Sequence, residues 1–448
     1  MHARTDGEAG EAPWPAARTA WYVVVVLTAA NTLAFVDRQA LALLVQPIKA
    51  DLGISDTAMS LLYGISFTAF YVAVGVPIAR LADRSNRRNI IVVSVFFWSL
   101  MTAACGLART FPALLAARIG VGAGEGGLGP SVYSMLSDYF PKERLAAAIG
   151  VYQMGVYIGG AAALLIGGVL VGLIPPGETL TVPILGAVKG WQLVFLALGA
   201  PGLLLGVVMC TVREPLRRGA AKAEAAAPLS AFFQHLTRER RAYIGIMAGF
   251  ALMVMVGNAT GAWIPAFFER KFGWTTAEVG ARYGLIVFFC GAGGALAGGL
   301  IASALRRRVG TRGNLLAAMV GFSVLVPVTI AFPLAPSASL ALGLIGLMNF
   351  AAGLNLGGGL ATLQELTPNR MRALLSALYL LAINIIGGGL GPLVVALIVD
   401  YGFADPQRLP EALAITAGVA SPLALAALAY GLLNLRTSQP SVPAPSIA

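Results

Sequence analysis

Four ionisable residues lie inside otherwise apolar stretches in the first half of the chain: Asp37, Arg38, Arg118 and Glu125. A charged side chain near the centre of a membrane-spanning helix costs roughly 2.5–3.5 kcal/mol, so such residues usually face one another or a polar cavity. An ion-pair cluster that only fixes two helices together is one interpretation. Proton transfer or contact with a charged ligand is favoured over it, because apolar residues usually pack equally well at a purely structural site.

Helix geometry predicts which of these residues meet. A helix rises about 1.5 Å per residue, so Asp37 lies about 24 Å along a helix that begins near Trp21, and Arg118 reaches about the same level on a helix running the opposite way. We therefore predict that Asp37 pairs with Arg118. Arg38 points about 100° away from Asp37 and is expected to face a cavity and an anionic head group. Glu125, about 10 Å further along than Arg118, is then left without a close permanent cation and is the better proton carrier.

The elements that position these charges are predicted to be membrane-spanning helices. The 448 residues are 58% hydrophobic and only 11% charged, whereas soluble domains carry roughly 25% charged residues. Windows of about 20 apolar residues mark twelve candidate spans, without the alternating pattern of a β-barrel. The spans begin near Trp21, Thr57, Asn89, Pro112, Leu145, Gly190, Tyr243, Glu278, Asn314, Ala338, Met371 and Leu409. The sequence therefore predicts an all-α membrane protein.

The basic residues predict the topology. With the N-terminus inside, 22 of the 31 Lys and Arg residues fall on the inner side, seven fall on the outer side, and Arg38 and Arg118 lie inside spans. This bias predicts that both termini are cytoplasmic. We expect the membrane to be a bacterial inner (plasma) membrane. The net charge of +11 therefore reflects topology and not a nucleic-acid partner. The three cysteines are scattered among apolar spans and indicate no metal site.

A charged, Ala/Pro-rich segment between the sixth and seventh spans divides the chain into two halves. We assign residues 1–18 to a cytoplasmic N-terminal tail, 19–212 to an N-terminal six-helix bundle, 213–242 to a cytoplasmic linker, 243–435 to a C-terminal six-helix bundle and 436–448 to a cytoplasmic C-terminal tail. Within the linker, a short amphipathic helix is predicted around Leu229 to Arg238 at the membrane surface.

Short motifs recur in register in the two halves. "LGISDTAMSLLYG" in the first half matches "FGWTTAEVGARYG" in the second half at an offset of 220 residues. The matched pairs are Gly53 with Gly273, Tyr63 with Tyr283 and Gly64 with Gly284. Further on, Asp138 and Tyr152 match Glu365 and Tyr379 at an offset of 227. Two repeated halves with a substrate between them near the membrane midplane are typical of secondary transporters.

Two motifs resemble the major facilitator superfamily. "VGVPIARLADRSNRRN", residues 74–89, resembles its signature loop between helices 2 and 3, although Ala79 and Asn86 replace the usual glycines. "RIGVGAGEGGLGP", residues 118–130, resembles its fourth-helix pattern. The second-half loop "SALRRRVGTRGN" keeps the arginines but lacks the acid, which indicates an asymmetric pair of gates. The resemblance implies the major facilitator fold, with twelve transmembrane helices in two pseudo-symmetric six-helix bundles.

Three features of the first half narrow the resemblance to Spinster-type transporters of lysophospholipids and sphingosine phosphates. They are the Asp37-Arg38 pair, the "GxGE" motif that ends at Glu125, and the "DxF" motif at Asp138. The second half resembles the superfamily only.

The superfamily resemblance also implies a cytoplasmic gate. In that family the loop aspartate caps helix ends and contacts nearby charges, which holds the inner gate shut. The matching residues are Asp83, Arg84, Arg87, Arg88, Asp138, Arg144, Glu365 and Arg372. Ion pairs that switch between two packings supply the bistable element that alternating access requires. The alternative for the arginines of the loop is that they act only as topology signals.

Polar residues in other spans are candidates for lining a cavity, and for each the alternative is a hydrogen bond to a neighbouring helix. The candidates are Tyr63, Tyr152, Gln153, Asn258, Asn355 and Asn384. Small residues such as Gly122 and Gly126 are expected to serve close helix packing, and the glycines of "GGGLGP", residues 387–392, are expected to mark a bend. Because the second half holds almost no buried charge, its cavity wall should be apolar. A cavity with one charged and one apolar side suits an amphipathic substrate.

The charged constellation and the repeat predict a monomeric, proton-coupled secondary active transporter of an amphipathic substrate, and the resemblance to Spinster-type transporters implies a lipid such as a lysophospholipid. Asp37 and Glu125 would carry the proton, and Arg38 and Arg118 would serve as charge partners or bind the head group. Its partners would be protons, membrane lipids and this substrate, with no cofactor besides the proton gradient. An exporter or importer of small organic anions or drugs on the same fold is the main alternative.

A membrane enzyme that uses Asp37 and Glu125 as paired carboxylates is the third interpretation. It is disfavoured because the only histidines, His2 and His235, lie in the tail and the linker, where no intramembrane Ser/His or zinc arrangement can form. We assign no catalytic residue. The sequence also has no phosphate-binding loop of the P-loop type, so ATP is not expected to drive the process.

Overall fold

The computed structural model describes residues 14–174, 178–183, 186–217, 229–309, 312–354 and 358–435. Within these residues, ten helices are long and apolar enough to cross a membrane: Ala17–Leu43, Asp56–Ala82, Arg87–Leu107, Ala147–Gly172, Gly190–Met209, Arg240–Phe272, Thr276–Gly298, Leu315–Leu334, Leu374–Phe403 and Pro406–Leu433. Each begins within four residues of a predicted start. The predicted tail 436–448 and most of the predicted tail 1–18 lie outside the described residues.

The chain forms two compact units. Unit 1 comprises Met1–Leu52 and Ala69–Ala223. Its described elements are α1 (Ala17–Leu43), α2 (Val45–Leu52), most of α4 (Ile65–Arg84), α5 (Arg87–Leu107), α6 (Phe111–Glu125), α7 (Leu128–Tyr139), α8 (Lys142–Gly172), β1 (Leu180–Val182), β2 (Gly186–Val188) and α9 (Gly190–Met209).

Unit 2 comprises Gly53–Thr68 and Glu224–Ala448. Its described helices are α3 (Asp56–Tyr63), α10 (Leu229–Arg238), α11 (Arg240–Phe272), α12 (Thr276–Ile286), α13 (Ala292–Val309), α14 (Arg312–Leu334), α15 (Ala338–Leu354), α16 (Gly358–Leu366), α17 (Arg372–Ala382), α18 (Gly391–Leu397) and α19 (Leu409–Leu433). Three π-helical segments follow α12, α17 and α18 without a break: Val287–Gly291, Ile383–Leu390 and Ile398–Phe403. Short 3₁₀ turns lie at Asn369–Met371 and Pro406–Arg408.

The second span is divided between the two units. Its first part, Gly53–Thr68, clusters with unit 2, although the sequence analysis assigned it to the N-terminal bundle at 19–212. Close backbone packing explains the clustering, because a Cβ atom on Gly64 would lie 2.8 Å from the carbonyl oxygen of Gly389. Only a residue without a side chain permits this approach.

Shorter helices occupy the two predicted spans that are missing from the ten long ones. The fourth predicted span is filled by α6 and α7, which are separated at Gly126 and Gly127. A Cβ atom on Gly126 would lie 2.5 Å from the carbonyl oxygen of Tyr71, so the prediction of close packing at this glycine is confirmed. The tenth predicted span contains the 17-residue α15, followed by residues 355–357, which lie outside the described part of the chain.

The internal repeat is visible in the backbone of two loops. Gly53 and Gly273 both adopt the left-handed conformation, with φ of +64° and +68°, which favours glycine after a helix end. Two residues later in each loop, the side chain of Ser55 or Thr275 caps the next helix by accepting a hydrogen bond from a backbone N–H, at 3.1 Å and 3.2 Å. The repeat predicted at this loop is therefore confirmed in its geometry.

The loop after α8 contains a hairpin that the sequence analysis did not predict. Strands β1 and β2 pair in antiparallel register, with Leu180 opposite Val188 and Val182 opposite Gly186. Each strand has only three residues, which is too short for an alternating pattern to stand out in the sequence.

The glycine-rich stretch of the eleventh predicted span has an irregular backbone. Residues Ile383–Leu390 form a π-helical segment before Pro392, at the position where the sequence predicted a bend. A Cβ atom on Gly391 would lie 2.5 Å from the carbonyl oxygen of Met255. The stretch therefore packs tightly against α11 in unit 2.

Candidate functional site

Asp37 is buried in the C-terminal third of α1, with 3% of its surface exposed. The hydroxyl of Thr102 on α5 donates a hydrogen bond of 2.8 Å to its Oδ2 atom. Arg118 on α6 is also buried and interacts electrostatically with Asp37. The predicted pairing of Asp37 with Arg118 stays a prediction, and the neutral donor from the third span is an addition to it.

Glu125 at the end of α6 pairs with Arg38. The Nε and Nη2 atoms of Arg38 donate to the Oε2 atom of Glu125 at 2.8 Å and 2.6 Å. The prediction that Glu125 lacks a close cation is therefore wrong. The depth estimate followed the rise of the backbone alone, whereas a long arginine side chain carries its charge well away from its own Cα atom.

Two aromatic rings lie close to the guanidinium of Arg38, in addition to the carboxylate of Glu125. The guanidinium carbon lies 5.1 Å from the ring centre of Phe35 and 5.0 Å from that of Tyr71, within the range of cation–π attraction. The side chain of Arg38 keeps 29% of its surface exposed, while that of Glu125 is only 1% exposed. Arg38 is therefore the accessible member of the pair, and Glu125 is the enclosed one.

The second carboxylate oxygen of Glu125, Oε1, has a different environment from Oε2. Oε1 is buried and accepts no hydrogen bond from the described part of the chain. A buried carboxylate oxygen without a donor is costly, and protonation would lower that cost by removing the negative charge. Among the described residues, Oε2 therefore has a cationic donor in Arg38, whereas Oε1 has no donor.

Aromatic residues of unit 1 lie close to this ion pair. The rings of Tyr133 and Tyr152 contact edge to face, with centres 5.8 Å apart. Tyr152 is buried, and its carbonyl oxygen accepts a 3.0 Å hydrogen bond from Asn31 on α1, whereas Tyr133 is exposed. Of the predicted cavity residues in this unit, Tyr152 therefore packs between helices, and Gln153 is half-buried.

The described members of the predicted cavity residues in unit 2 interact with other residues of the same unit. Asn258 and Asn384 each donate to a carbonyl oxygen four residues earlier in their own helix, at 3.0 Å and 2.8 Å. Tyr63 is half-buried and interacts with Tyr283, its counterpart in the repeat. Asn355 lies outside the described residues.

A second charged cluster forms around Arg87, the first residue of α5. Arg87 is 1% exposed and donates to Asp138 at 2.5 Å, to Glu214 at 2.7 Å and to the carbonyl oxygen of Ser134 at 2.9 Å. The backbone N–H of Arg88 donates to the other oxygen of Glu214 at 2.9 Å. Three of the predicted gate residues are therefore brought together, and Glu214 joins them.

The other predicted gate residues are placed differently. Arg84 and Arg144 are exposed and form no ion pair with a described residue. Arg372 donates from Nε to the carbonyl oxygen of Thr367 at 3.0 Å, and Glu365 is half-buried. The side chain of Asp83 lies outside the described part of the structure.

A buried ion pair that the sequence analysis did not identify joins α3 and α11 in unit 2. Both Nη atoms of Arg270 donate to the carboxylate of Asp56, each at 2.7 Å. The two side chains are 5% and 0% exposed, and the guanidinium carbon lies 5.7 Å from the ring centre of Trp263. The backbone N–H of Thr57 donates to Asp400 at 2.6 Å. The start of α3 is thus anchored by two carboxylates.

Some of the remaining residues of these clusters could have been predicted from the sequence, and others could not. Phe35 lies three positions before Arg38 on one helix, and that spacing places neighbours on the same face. Glu214 is the only acid in the basic run "REPLRR", which indicates a local partner. Thr102 and Tyr71 are single residues in apolar spans and carry no such signal.

Long apolar helices, two compact units with a repeated loop and charges paired inside the spans together define a multi-pass membrane transporter. The Major Facilitator Superfamily model matches residues 27–392, and the chain belongs to this family. It is accordingly a transporter and not an enzyme, and transporters of this kind need no cofactor.

The chain is similar to several known transporters. It is 29% identical over 422 residues to an MFS-type efflux pump of Mycolicibacterium smegmatis, which covers 94% of each chain. It is 26% identical over 294 residues to a probable L-galactonate transporter of Escherichia coli, covering 62% of this chain and 60% of that one.

The structure resembles that of a bacterial homologue of the human lysosomal transporter Spinster in an inward-facing, unoccupied conformation. The TM-score is 0.77 at 29% identity, and the match covers 94% of this chain and 98% of the homologue. The predicted resemblance to Spinster-type transporters is therefore confirmed.

Proposed function

We propose that this protein is a proton-coupled secondary active transporter that binds an anionic, amphipathic substrate at Arg38. The observation that carries the proposal is the ion pair between Arg38 and Glu125, in which the arginine is 29% exposed and the glutamate is 1% exposed. An enclosed carboxylate beside an accessible cation is suited to proton exchange that changes the affinity for an anion.

The proposed coupling follows from competition for Arg38. A proton on Glu125 neutralises its carboxylate, and the guanidinium is then available to a substrate anion. An anion on Arg38 in turn weakens the attraction that keeps Glu125 charged. Because coupling between two ligands is reciprocal, proton and substrate anion bind more tightly together than either binds alone, which favours transport of both in the same direction. Asp37 and Arg118 set the electrostatic surroundings of this exchange.

A lysophospholipid is the proposed substrate. Its phosphate would bind Arg38, since arginine matches phosphate geometry with two parallel hydrogen bonds, and its acyl chain would contact rings such as Phe35 and Tyr71. The likeness to a Spinster homologue supports this choice. Small organic anions or drugs form the second candidate class, supported by the likeness to an efflux pump and to a probable L-galactonate transporter.

The proposal includes an architecture. Twelve transmembrane helices form two six-helix bundles, at 19–212 and 243–435, joined by a cytoplasmic linker at 213–242. Both termini face the cytoplasm, the protein works as a monomer in an inner membrane, and alternating access exposes the site to each side in turn. The cluster around Arg87, with Asp138 and Arg88, acts as part of the cytoplasmic gate.

Uptake into proteoliposomes with an imposed pH gradient tests the proposal. We expect a lysophospholipid to accumulate with the gradient, and we expect Glu125→Gln to abolish the response to the gradient while residual exchange of substrate continues. Glu178→Gln is the matched control, because Glu178 is an exposed carboxylate in a loop. Proton coupling as proposed is refuted if neither the gradient nor Glu125→Gln changes transport. Accumulation of hexonates or drugs in place of the lysolipid would select the second class of substrate.

A further inference from the structure

The linker helix α10 presents an aromatic residue and a basic cluster that the transport site does not use. Phe232 is 4% exposed, whereas Phe233 beside it is 58% exposed. The two rings contact edge to face with centres 5.7 Å apart, so one ring packs on the protein and the other points away from it. A solvent-facing phenylalanine next to a membrane span is typical of a helix that lies in the membrane interface.

Three arginines follow this exposed ring within eight residues: Arg238, Arg240 and Arg241. All three are exposed. None of them forms an ion pair or a side-chain hydrogen bond with any residue in the described ranges. Arg240 is also the first residue of α11, a helix long and apolar enough to cross a membrane. The positive charges therefore lie where a span enters the head-group region.

We propose that α10 and the start of α11 form a binding site for an anionic phospholipid. Phe233 enters the boundary between head groups and acyl chains, and Arg238, Arg240 and Arg241 bind the phosphate. Charge complementarity favours an anionic lipid over a zwitterionic one, because a basic cluster beside a membrane attracts anionic lipids by about 1 kcal/mol per residue. Arginine also offers paired N–H donors to phosphate oxygens.

The site is connected to the turn that follows α16. The Nε2 atom of His235 on α10 lies 2.9 Å from the hydroxyl of Tyr243. That hydroxyl also lies 2.8 Å from the hydroxyl of Thr367, whose carbonyl oxygen accepts from Arg372 at 3.0 Å. Lipid that holds α10 in place therefore stabilises this turn as well. If the turn belongs to the cytoplasmic gate that the superfamily resemblance implies for Glu365 and Arg372, the lipid also biases the gate; the binding site itself does not depend on that function.

Lipid retention by the purified full-length protein tests the site. The protein in detergent is mixed with equal amounts of phosphatidylglycerol and phosphatidylcholine, and bound lipid is counted by native mass spectrometry. We expect wild type to retain at least about fivefold more of the anionic lipid, which is the preference that a single arginine would give at about 1 kcal/mol. The triple variant Arg238→Gln, Arg240→Gln, Arg241→Gln should lose most of this preference. The matched control Arg18→Gln, Arg80→Gln, Arg213→Gln removes the same charge from three exposed positions and should keep it.

Thermal unfolding distinguishes lipid binding at α10 from the effect of that lipid on the turn after α16. Phosphatidylglycerol should raise the melting temperature of wild type more than phosphatidylcholine does. Tyr243→Phe should retain the anionic lipid but lose most of this additional rise, because it breaks the hydrogen bonds to His235 and Thr367.

Two results would overturn the site. One is an unchanged lipid preference in the triple variant; the other is an equal loss in the triple variant and its control, which would show a general charge effect. If the triple variant does not fold, wild type decides the matter: the preference for phosphatidylglycerol must fall as salt is raised, and a preference insensitive to salt overturns the proposal.

Discussion

At the scale of single residues, the two buried acids of the charged site have different hydrogen-bond donors. Glu125 is held by Arg38, and Asp37 is held by the hydroxyl of Thr102. Both acids are almost completely buried, so each depends on a partner, because an unsatisfied buried acceptor is expensive. The difference in partners separates the two acids: in the proposed mechanism Glu125 exchanges its cation for a proton, whereas Asp37 keeps the hydroxyl of Thr102 and the electrostatic attraction of Arg118.

Thr102→Val tests how far Asp37 depends on that donor. Valine has nearly the same shape but no hydroxyl, so the buried Oδ2 atom of Asp37 loses its 2.8 Å hydrogen bond. We expect the free energy of unfolding to fall by about 1–3 kcal/mol. Thermal unfolding in detergent measures the change, with Thr102→Ser as the control that keeps the donor. Equal stability of the valine and serine variants would show that the hydrogen bond contributes nothing.

At the scale of elements, two kinds of contact fix the helices. They are close backbone packing at glycines and buried ion pairs. Gly126 lets α4 pass the junction of α6 and α7. The Asp56–Arg270 pair fastens α3 to α11, and Asp400 caps the first turn of α3. These contacts determine where each helix begins and how near its neighbour lies, and they position the side chains that the site requires.

Gly126→Ala should disturb the junction of α6 and α7. The added Cβ atom would lie 2.5 Å from the carbonyl oxygen of Tyr71, which is backbone and cannot move aside cheaply. We expect a loss of about 1–3 kcal/mol in the free energy of unfolding and a displacement of Glu125, the residue before it. Gly150→Ala is the control, because nothing lies within 4 Å of its added atom. Unfolding in detergent and transport are measured together, and equal effects at both positions would contradict the packing argument.

Asp56→Asn should destabilise the protein by leaving Arg270 buried without its anion. Breaking a buried pair by removing one partner costs about 3–5 kcal/mol, and the bidentate contact at 2.7 Å argues for a large effect. The double variant Asp56→Asn, Arg270→Gln removes both charges and should be less destabilised than the sum of the single variants. Additive losses in the free energy of unfolding would show that the two side chains do not stabilise each other.

At the scale of the whole molecule, the hydrophobic pattern predicted more than the arguments about individual contacts did. The starts of the ten long helices could be predicted from the lengths of the hydrophobic stretches alone. The repeat at Gly53 and Gly273 could be predicted from identical residues at a constant offset. The partner of Glu125 was missed because side-chain reach is not encoded in helix rise. The partnership of Asp56 with Arg270 was missed because charges near predicted loops look like ordinary surface residues until the chain is folded.

The arginines after the second and fourth spans differ in burial, and this difference distinguishes a proposed gate residue from a topology signal. Arg87 is 1% exposed and joins Asp138 and Glu214, whereas Arg144 is exposed and has no described ion pair. A topology signal needs only its charge, but a gate residue needs its partners. We therefore expect Arg87→Gln to lower the rate of uptake about tenfold or more, since it leaves two acids without their shared cation, and Arg144→Gln to change uptake by less than about twofold.

Uptake into proteoliposomes, normalised to the amount of folded protein, measures the difference between Arg87→Gln and Arg144→Gln. Arg87→Lys keeps the charge but loses the planar fork of donors that serves both acids, so it should recover only part of the rate. A topology role alone predicts full recovery with lysine, because lysine and arginine contribute equally to the positive-inside bias. Full recovery, or equal losses in the two glutamine variants, would therefore remove Arg87 from the proposed gate and leave it as a topology signal.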